Sequence, residues 1–219
     1  MDYKSAQKVD YFVANSKTVQ QRIKDFYHRE SVVIYPPVDL LERVSYDFRN
    51  QKIGDYYLVV SRLEKLKHID IIVEAFTKIG FPLVVVGTGI ESDYLQSLAG
   101  NSIKFAGFAT DEEICRYYSE CKAFIVAAED EDFGITAVEA QLFGKGVIAP
   151  RQGGFLETII DGETGLFFDR IEVQSLIEAV LKFEKMTFNP ATIRKNAQRF
   201  SKKKFMNSLN EMVQKSVKK

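Results

Sequence analysis

Residues 56–87, YYLVVSRLEKLKHIDIIVEAFTKIGFPLVVVG, decide the fold. The run at 56–61 is rich in β-formers. Over 67–79 the apolar residues Ile69, Ile72, Val73, Phe76 and Ile79 recur at the spacing of one helix face. At 82–87 the run PLVVVG shows no polar alternation, which predicts a strand buried on both faces of its sheet. Strand, helix and second buried strand, joined by short connections, make a parallel βαβ unit.

The same rhythm extends outward. The pattern predicts a helix over 91–99, a strand over 102–106, a helix over 111–120, a strand over 123–127, a helix over 135–143 and a strand over 146–149. Repeated βα units predict an α/β fold with a doubly wound, Rossmann-like parallel sheet over 51–187. Before it, residues 10–35 carry one more βαβ pattern, with strands at 10–14 and 31–35 and a helix capped near Asn15 or Ser16. Pro36-Pro37 forces extended backbone, so 36–54 reads as a linker. The tail from Glu172 is helical, broken near Asn189-Pro190, and its last segment puts Phe205, Leu209, Met212 and Val213 on one face.

Composition narrows the function classes. The chain has 219 residues, 46% of them hydrophobic, and its 30 basic and 30 acidic residues cancel. That balance argues against a large nucleic-acid-binding surface. No run approaches the ~18 apolar residues of a membrane span, and the opening residues lack an apolar signal core. Cys115 and Cys121 are the only cysteines, too few for a zinc site and compatible with a reducing cytoplasm.

Ligands of open α/β sheets sit beyond the carboxyl ends of the strands, so the informative residues lie just after strands. Arg62 follows the first strand and Lys67 stands where the next helix is expected to begin. Two cations near a helix N-terminus suit a diphosphate; a pair of solvated surface cations fits the same positions. The segment 129–139, EDEDFGITAVE, follows the strand at 123–127 and opens the next helix. Asp130 and Asp132 read as acids serving that helix dipole, with a metal-binding Asp-x-Asp as the weaker alternative. Glu131 in the loop and Glu139 one turn into the helix are separated by roughly 10 Å, from the helical rise and the loop. That spacing matches the two hydroxyl-rich ends of a sugar nucleotide. Gly153-Gly154 permits close backbone approach or a simple turn, and Gly87-Thr88-Gly89 is a weak Gly-x-Gly lacking a third glycine. His28 and His68 have no ligand-spaced partners and read as surface or capping residues.

Together these residues resemble the carboxyl-terminal domain of GT-B glycosyltransferases, retaining family 4. The family's Glu-x7-Glu motif is similar to Glu131–Glu139, its Arg-x4-Lys pair to Arg62–Lys67, and its Gly-Gly turn with following acid to Gly153-Gly154 and Glu157. The segment 57–168 looks closest to bacterial and archaeal polysaccharide mannosyltransferases, as do Ser16, the run 33–39 (VIYPPVD) and 139–141 (EAQ). One departure is His68, where the family usually has glycine after the lysine.

The resemblance implies metal-independent hexose transfer with retention, from a nucleotide sugar (GDP-mannose favoured, a UDP-sugar the alternative) and with no separate cofactor. By carry-over, Arg62 and Lys67 neutralise the leaving diphosphate and Glu139 accepts from the ribose hydroxyls. Glu131 is the catalytic candidate, meeting the sugar hydroxyls beside the amides of Phe133, Gly134 and Ile135. The base lies near Phe108, and Gly153 borders the donor. It also implies the division 1–50 as the end of a preceding acceptor domain plus linker, 51–187 as the donor domain, and 188–219 as helices packing toward the interdomain cleft. The partners implied are that acceptor domain, in cis or in trans, and a glycan or lipid-linked acceptor, with membrane contact at most peripheral. The location implied is cytoplasmic, including the inner membrane face. A non-catalytic nucleotide-binding subunit and a sugar-nucleotide epimerase are the alternative readings.

Overall fold

The computed structural model describes residues 2–44 and 53–217. Its centre is a six-stranded, all-parallel sheet built from β3 (Tyr57–Val60), β4 (Leu83–Val86), β5 (Ile103–Gly107), β6 (Ala123–Ile125), β7 (Val147–Pro150) and β8 (Gly165–Phe168), in the order β5-β4-β3-β6-β7-β8. The chain therefore winds outward from β3 to β5, then returns to the other side of β3 at β6. The point between β3 and β6 is where such sheets leave a crevice, because the connections depart in opposite directions.

Helices cover both faces, as the continuous apolar strands require. Tyr57, Val59, Val85 and Ile125 point to one core with α4 (Ile69–Ile79), α5 (Ser92–Leu98) and α9 (Val173–Phe183). Leu58, Val86, Phe124 and Ala149 point to the other, with α6 (Asp111–Glu120), α7 (Ile135–Leu142) and α8 (Phe155–Thr158). Phe76, Phe124 and Phe155 are fully buried, each contributing about 1.5–3 kcal/mol of hydrophobic stabilisation. The doubly wound Rossmann-like sheet expected from the sequence is thus present, with one strand more than the pattern revealed. The helix expected from Lys67 starts instead at Ile69, because Lys65–Lys67 forms a 3-10 turn closed by His68 in the left-handed conformation.

The flanking unit pairs β1 (Val13–Ala14) with β2 (Val32–Val33) in parallel around α2 (Lys17–Tyr27). Ser16 caps α2 by accepting from Val19 N, and a short α1 (Asp2–Ala6) precedes the unit. The segment expected to be a plain linker is partly packed. Residues Leu40–Arg43 form a helical turn, α3, and Val38, Leu40 and Val44 are buried, since apolar side chains within a polar stretch still seek the core. The rest of that linker, 45–52, lies outside the described residues, as does the boundary at 50/51.

After α9, α10 (Pro190–Ala197) begins at Pro190, as the Asn189-Pro190 break predicts, with Asn189 capping. Buried Asn196 donates to Gln141 Oε1 at 2.6 Å and Thr158 O at 2.8 Å, tying α10 to α7 and α8. The last helix, α11 (Lys202–Val217), half-buries Phe205, Leu209, Met212 and Ser216, while Val213 is exposed. The stripe continues at 216 rather than 213 because 205, 209, 212 and 216 keep to one helical face. Among the described residues no helix is long and apolar enough to cross a membrane.

Candidate functional site

A cavity of about 420 Å³ opens at the switch point between β3 and β6. From just past β3 come Ser61 and Arg62; from the turn that follows, Lys67; from the loop after β6, Glu131 and Phe133; from the start of α7, Gly134, Ile135 and Thr136. In a parallel sheet every strand delivers its carboxyl end to the same edge, so loops distant in sequence converge there.

Glu131 and Lys67 meet directly, with Lys67 Nζ donating to Glu131 Oε2 at 2.7 Å. Both side chains are about three-quarters buried, at 27% and 23% exposure, so this pair is screened less than a surface pair. Lysine has three donors, so the same ammonium can hold a phosphate while keeping Glu131. Arg62 is mostly exposed and rests against Glu64 at 3.1 Å, a contact easily exchanged for an anion. Gly134 sits at the N-cap of α7 with φ 85° and offers no side-chain cap. The amides of the first turn, at Ile135 and Thr136, therefore lie at the cavity wall with the positive end of the helix dipole behind them.

The loop carrying Glu131 is held from two sides. Gly153 adopts φ +58°, and a Cβ there would sit 2.5 Å from Glu131 O; a Cβ on Gly154 would sit 2.3 Å from Phe133 Cα. Gly154 N also donates to Glu131 O at 2.8 Å. The close approach these glycines permit is thus to the Glu131 loop. On the other side, Arg22 of α2 pairs with Asp132 at 2.6 Å and Asp130 at 3.3 Å. These two acids, expected to serve the α7 dipole, pair with a cation from the flanking unit, and Asp130 adopts the left-handed conformation at φ 55°.

Glu139, Phe108 and Gly153 do not line this cavity. Glu139 lies on the α7 face toward α6, where Tyr118 donates to it at 3.1 Å. It is half-buried, and burial pushes its carboxyl up to about 7 against the opposing pull of the Tyr118 hydroxyl and of Arg43. Phe108, just past β5, is 80% exposed. His68 and His28 each close a helical turn in the left-handed conformation, so both are capping residues. Glycine occupies that conformation without a Cβ penalty, whereas His68 does so beside Glu129 at 3.3 Å.

Two residues named in the sequence for other reasons, Asn15 as a possible helix cap and Glu157 as the acid after Gly153-Gly154, contribute here in ways the sequence did not show. Asn15 lines the cavity from the flanking unit, and its buried Oδ1 has no hydrogen-bond partner among the described residues. Its position immediately after β1 was the available signal. Glu157 accepts from Lys17 N at 3.0 Å, Thr18 N at 3.2 Å and Tyr35 Oη at 2.8 Å, fastening the start of α2 to the main sheet. Burial, and then Glu157, push the Tyr35 phenol up to about 12.

Comparison with known proteins identifies the family of the chain. The family model described as "Glycosyl transferases group 1" matches residues 46–201. An uncharacterized glycosyltransferase of Methanocaldococcus jannaschii is 27% identical over 199 residues, covering 89% of this chain and 55% of that protein. A GDP-mannose-dependent alpha-mannosyltransferase of Corynebacterium glutamicum is 31% identical over 124 residues, covering 57% of this chain and 30% of that protein. The chain thus spans about half or less of these relatives' length. The solved structure of a glycosyltransferase from Rickettsia africae superposes with a TM-score of 0.82 at 23% identity, covering 99% of this chain and 67% of that one, a likeness of fold.

Proposed function

The chain belongs to the group 1 glycosyl transferases, and from that premise we propose that it holds the nucleotide-sugar donor for a hexosyl transfer. The observation that carries this reading is the cavity at the β3/β6 switch point, where Arg62, Lys67, Glu131 and the uncapped start of α7 converge. A diphosphate needs cations and amide donors; a hexose needs a carboxylate acceptor; this cavity offers both within one wall.

In the proposed reaction the acceptor hydroxyl oxygen attacks the anomeric carbon from the face the diphosphate leaves. The bond from that carbon to the β-phosphate oxygen breaks, and the departing phosphate takes the acceptor's proton, so configuration is retained. Charge grows on the diphosphate during this step. Arg62, Lys67 and the α7 amides stabilise it there, which lowers the barrier rather than merely tightening binding. Glu131 positions the sugar hydroxyls, beside the amides of Phe133, Gly134 and Ile135. Glu139 takes the ribose hydroxyls and the base rests near Phe108, with Gly153 fixing the loop between. GDP-mannose is the favoured donor and a UDP-sugar the alternative. The acceptor is a glycan or a lipid-linked glycan, presented by an acceptor domain in cis or in trans. In this reading residues 1–50 close that acceptor domain, 51–187 hold the donor and 188–219 pack toward the cleft.

Calorimetric titration with GDP, UDP, ADP and their sugar conjugates tests the proposal. One nucleoside diphosphate binds preferentially, and Arg62→Ala and Lys67→Ala each weaken it at least tenfold. Affinity unchanged in both variants would sink the phosphate assignment.

A further inference from the structure

A second cavity, of about 710 Å³, opens at the opposite end of the sheet, where β6 and β7 begin. The donor reading makes no use of it. Among the described residues its walls carry Lys122, Lys145 and Arg194 against a single carboxylate, Glu184. Glu184 is already engaged, receiving Lys122 at 2.6 Å and the Tyr57 hydroxyl. Lys145 is only 7% exposed, yet its ammonium has no hydrogen-bond or ion-pair partner among the described residues. Burial pulls its pKa down, and Arg194 adds to that against the opposing pull of Cys121 and the Glu120 carboxylate. Arg194 likewise has no acidic partner among the described residues.

This arrangement is built rather than incidental. Lys145 stands between Gly144 and Gly146. A Cβ on Gly144 would lie 2.5 Å from the Arg194 guanidinium, and one on Gly146 would lie 2.7 Å from the Phe183 ring. The bare backbone on either side of Lys145 thus lets a cation and an aromatic close in on it. Phe183 stacks on Phe188 with centroids 4.5 Å apart, forming an apolar wall beside the cations. A lysine buried without a counter-ion is costly unless something neutralises it. Among the described residues the cations exceed the carboxylate by two charges, which matches a phosphate monoester dianion better than a monoanion.

We propose that this cavity binds a small organic phosphate monoester, its phosphate held by Lys145 and Arg194 and its apolar body packed on Phe183 and Phe188. The site is separate from the donor cavity, and its ligand chemistry differs by having no second phosphate and no need of the α7 amides.

The test is an NMR titration of the full chain with phenyl phosphate, with inorganic phosphate and benzoate as parallel probes. Phenyl phosphate shifts the resonances of Lys145, Phe183 and Phe188, and binding weakens at least tenfold in Arg194→Gln and in Lys145→Met. It stays unchanged in Arg62→Ala, which alters only the donor cavity. Arg194 is half-buried on a helix surface, so Arg194→Gln decides the matter if Lys145→Met fails to fold. The proposal is overturned if phenyl phosphate does not bind, if Arg194→Gln binds it as well as the parent, or if Arg62→Ala alone abolishes binding. Equal affinity for benzoate overturns the charge matching, and equal affinity for inorganic phosphate overturns the apolar contact.

Discussion

Lys67 Nζ stands 2.7 Å from Glu131 Oε2, joining the turn after β3 to the loop after β6 across the switch point. In the proposed function one member of this pair takes the donor's phosphates and the other its sugar. The two roles therefore separate by ligand. Lys67→Met weakens binding of a bare nucleoside diphosphate at least tenfold, the loss of a charge-assisted contact worth about 1.5–3 kcal/mol. Glu131→Gln leaves the bare diphosphate nearly unaffected and weakens only the sugar conjugate. Paired calorimetric titrations check this, and equal losses for both ligands in both variants would remove the division of labour.

Glu139 imposes a pH dependence of known sign. Its carboxyl is raised to about 7 in the folded chain from a usual value near 4.5, with burial the main cause. Between those values the folded state binds more protons than the unfolded state, so stability falls as pH rises. The penalty is absent below pH ~4.5 and fully present above pH ~7, amounting to about 3 kcal/mol at most. Denaturant unfolding of the parent and of Glu139→Gln, at pH 5 and pH 8, measures it. The stability gap shifts in favour of the Gln variant by about 2.5 kcal/mol between the two pH values; a gap independent of pH refutes the assignment.

Gly154→Ala puts a Cβ 2.3 Å from Phe133 Cα and 2.5 Å from Asp132 O, backbone atoms that cannot swing aside. The Glu131 loop has to move instead. The expected outcome is a destabilisation of about 1–3 kcal/mol together with loss of donor binding. A variant with normal affinity would show that the loop position is immaterial to the site.

Glu157, on α8, holds the first amides of α2. In Glu157→Ala, amide hydrogen exchange at Lys17 and Thr18 accelerates and stability falls by about 1–2 kcal/mol, while exchange in β3 and β4 keeps its parent rate relative to global unfolding. Unchanged protection at Lys17 and Thr18 would mean the contact contributes nothing to holding α2.

His68→Gly replaces a left-handed β-carbon residue by the residue that accepts that conformation freely. Relief of about 1 kcal/mol is offset in part by the lost Glu129 contact at 3.3 Å. Thermal unfolding of the variant shows a modest net gain; a marked loss would show that the His68–Glu129 contact outweighs the backbone strain.

The alternation of apolar strands with amphipathic helices made the sheet legible from the residues, because each strand and helix announces itself within a dozen positions. The strand at Gly165–Phe168 was missed for a local reason: four apolar residues, GLFF, are too short to separate strand from helix. Leu40–Arg43 was missed because a single helical turn of four residues is too short to show a helical period.

By itself, then, the sequence determined the α/β class and placed Arg62, Lys67 and Glu131 just past strands. In a parallel sheet that position means one common edge, so local pattern reaches all the way to the site. Only the tertiary structure decided the strand order that puts β6 beside β3. It alone decided that Asp130 and Asp132 take Arg22, that Asn15 reaches the cavity, and that Lys145 is buried with no ion-pair partner among the described residues. Each of these is a contact or a loss of solvent created by residues far apart in the chain, and no periodicity within a single segment records which distant segment will cover it.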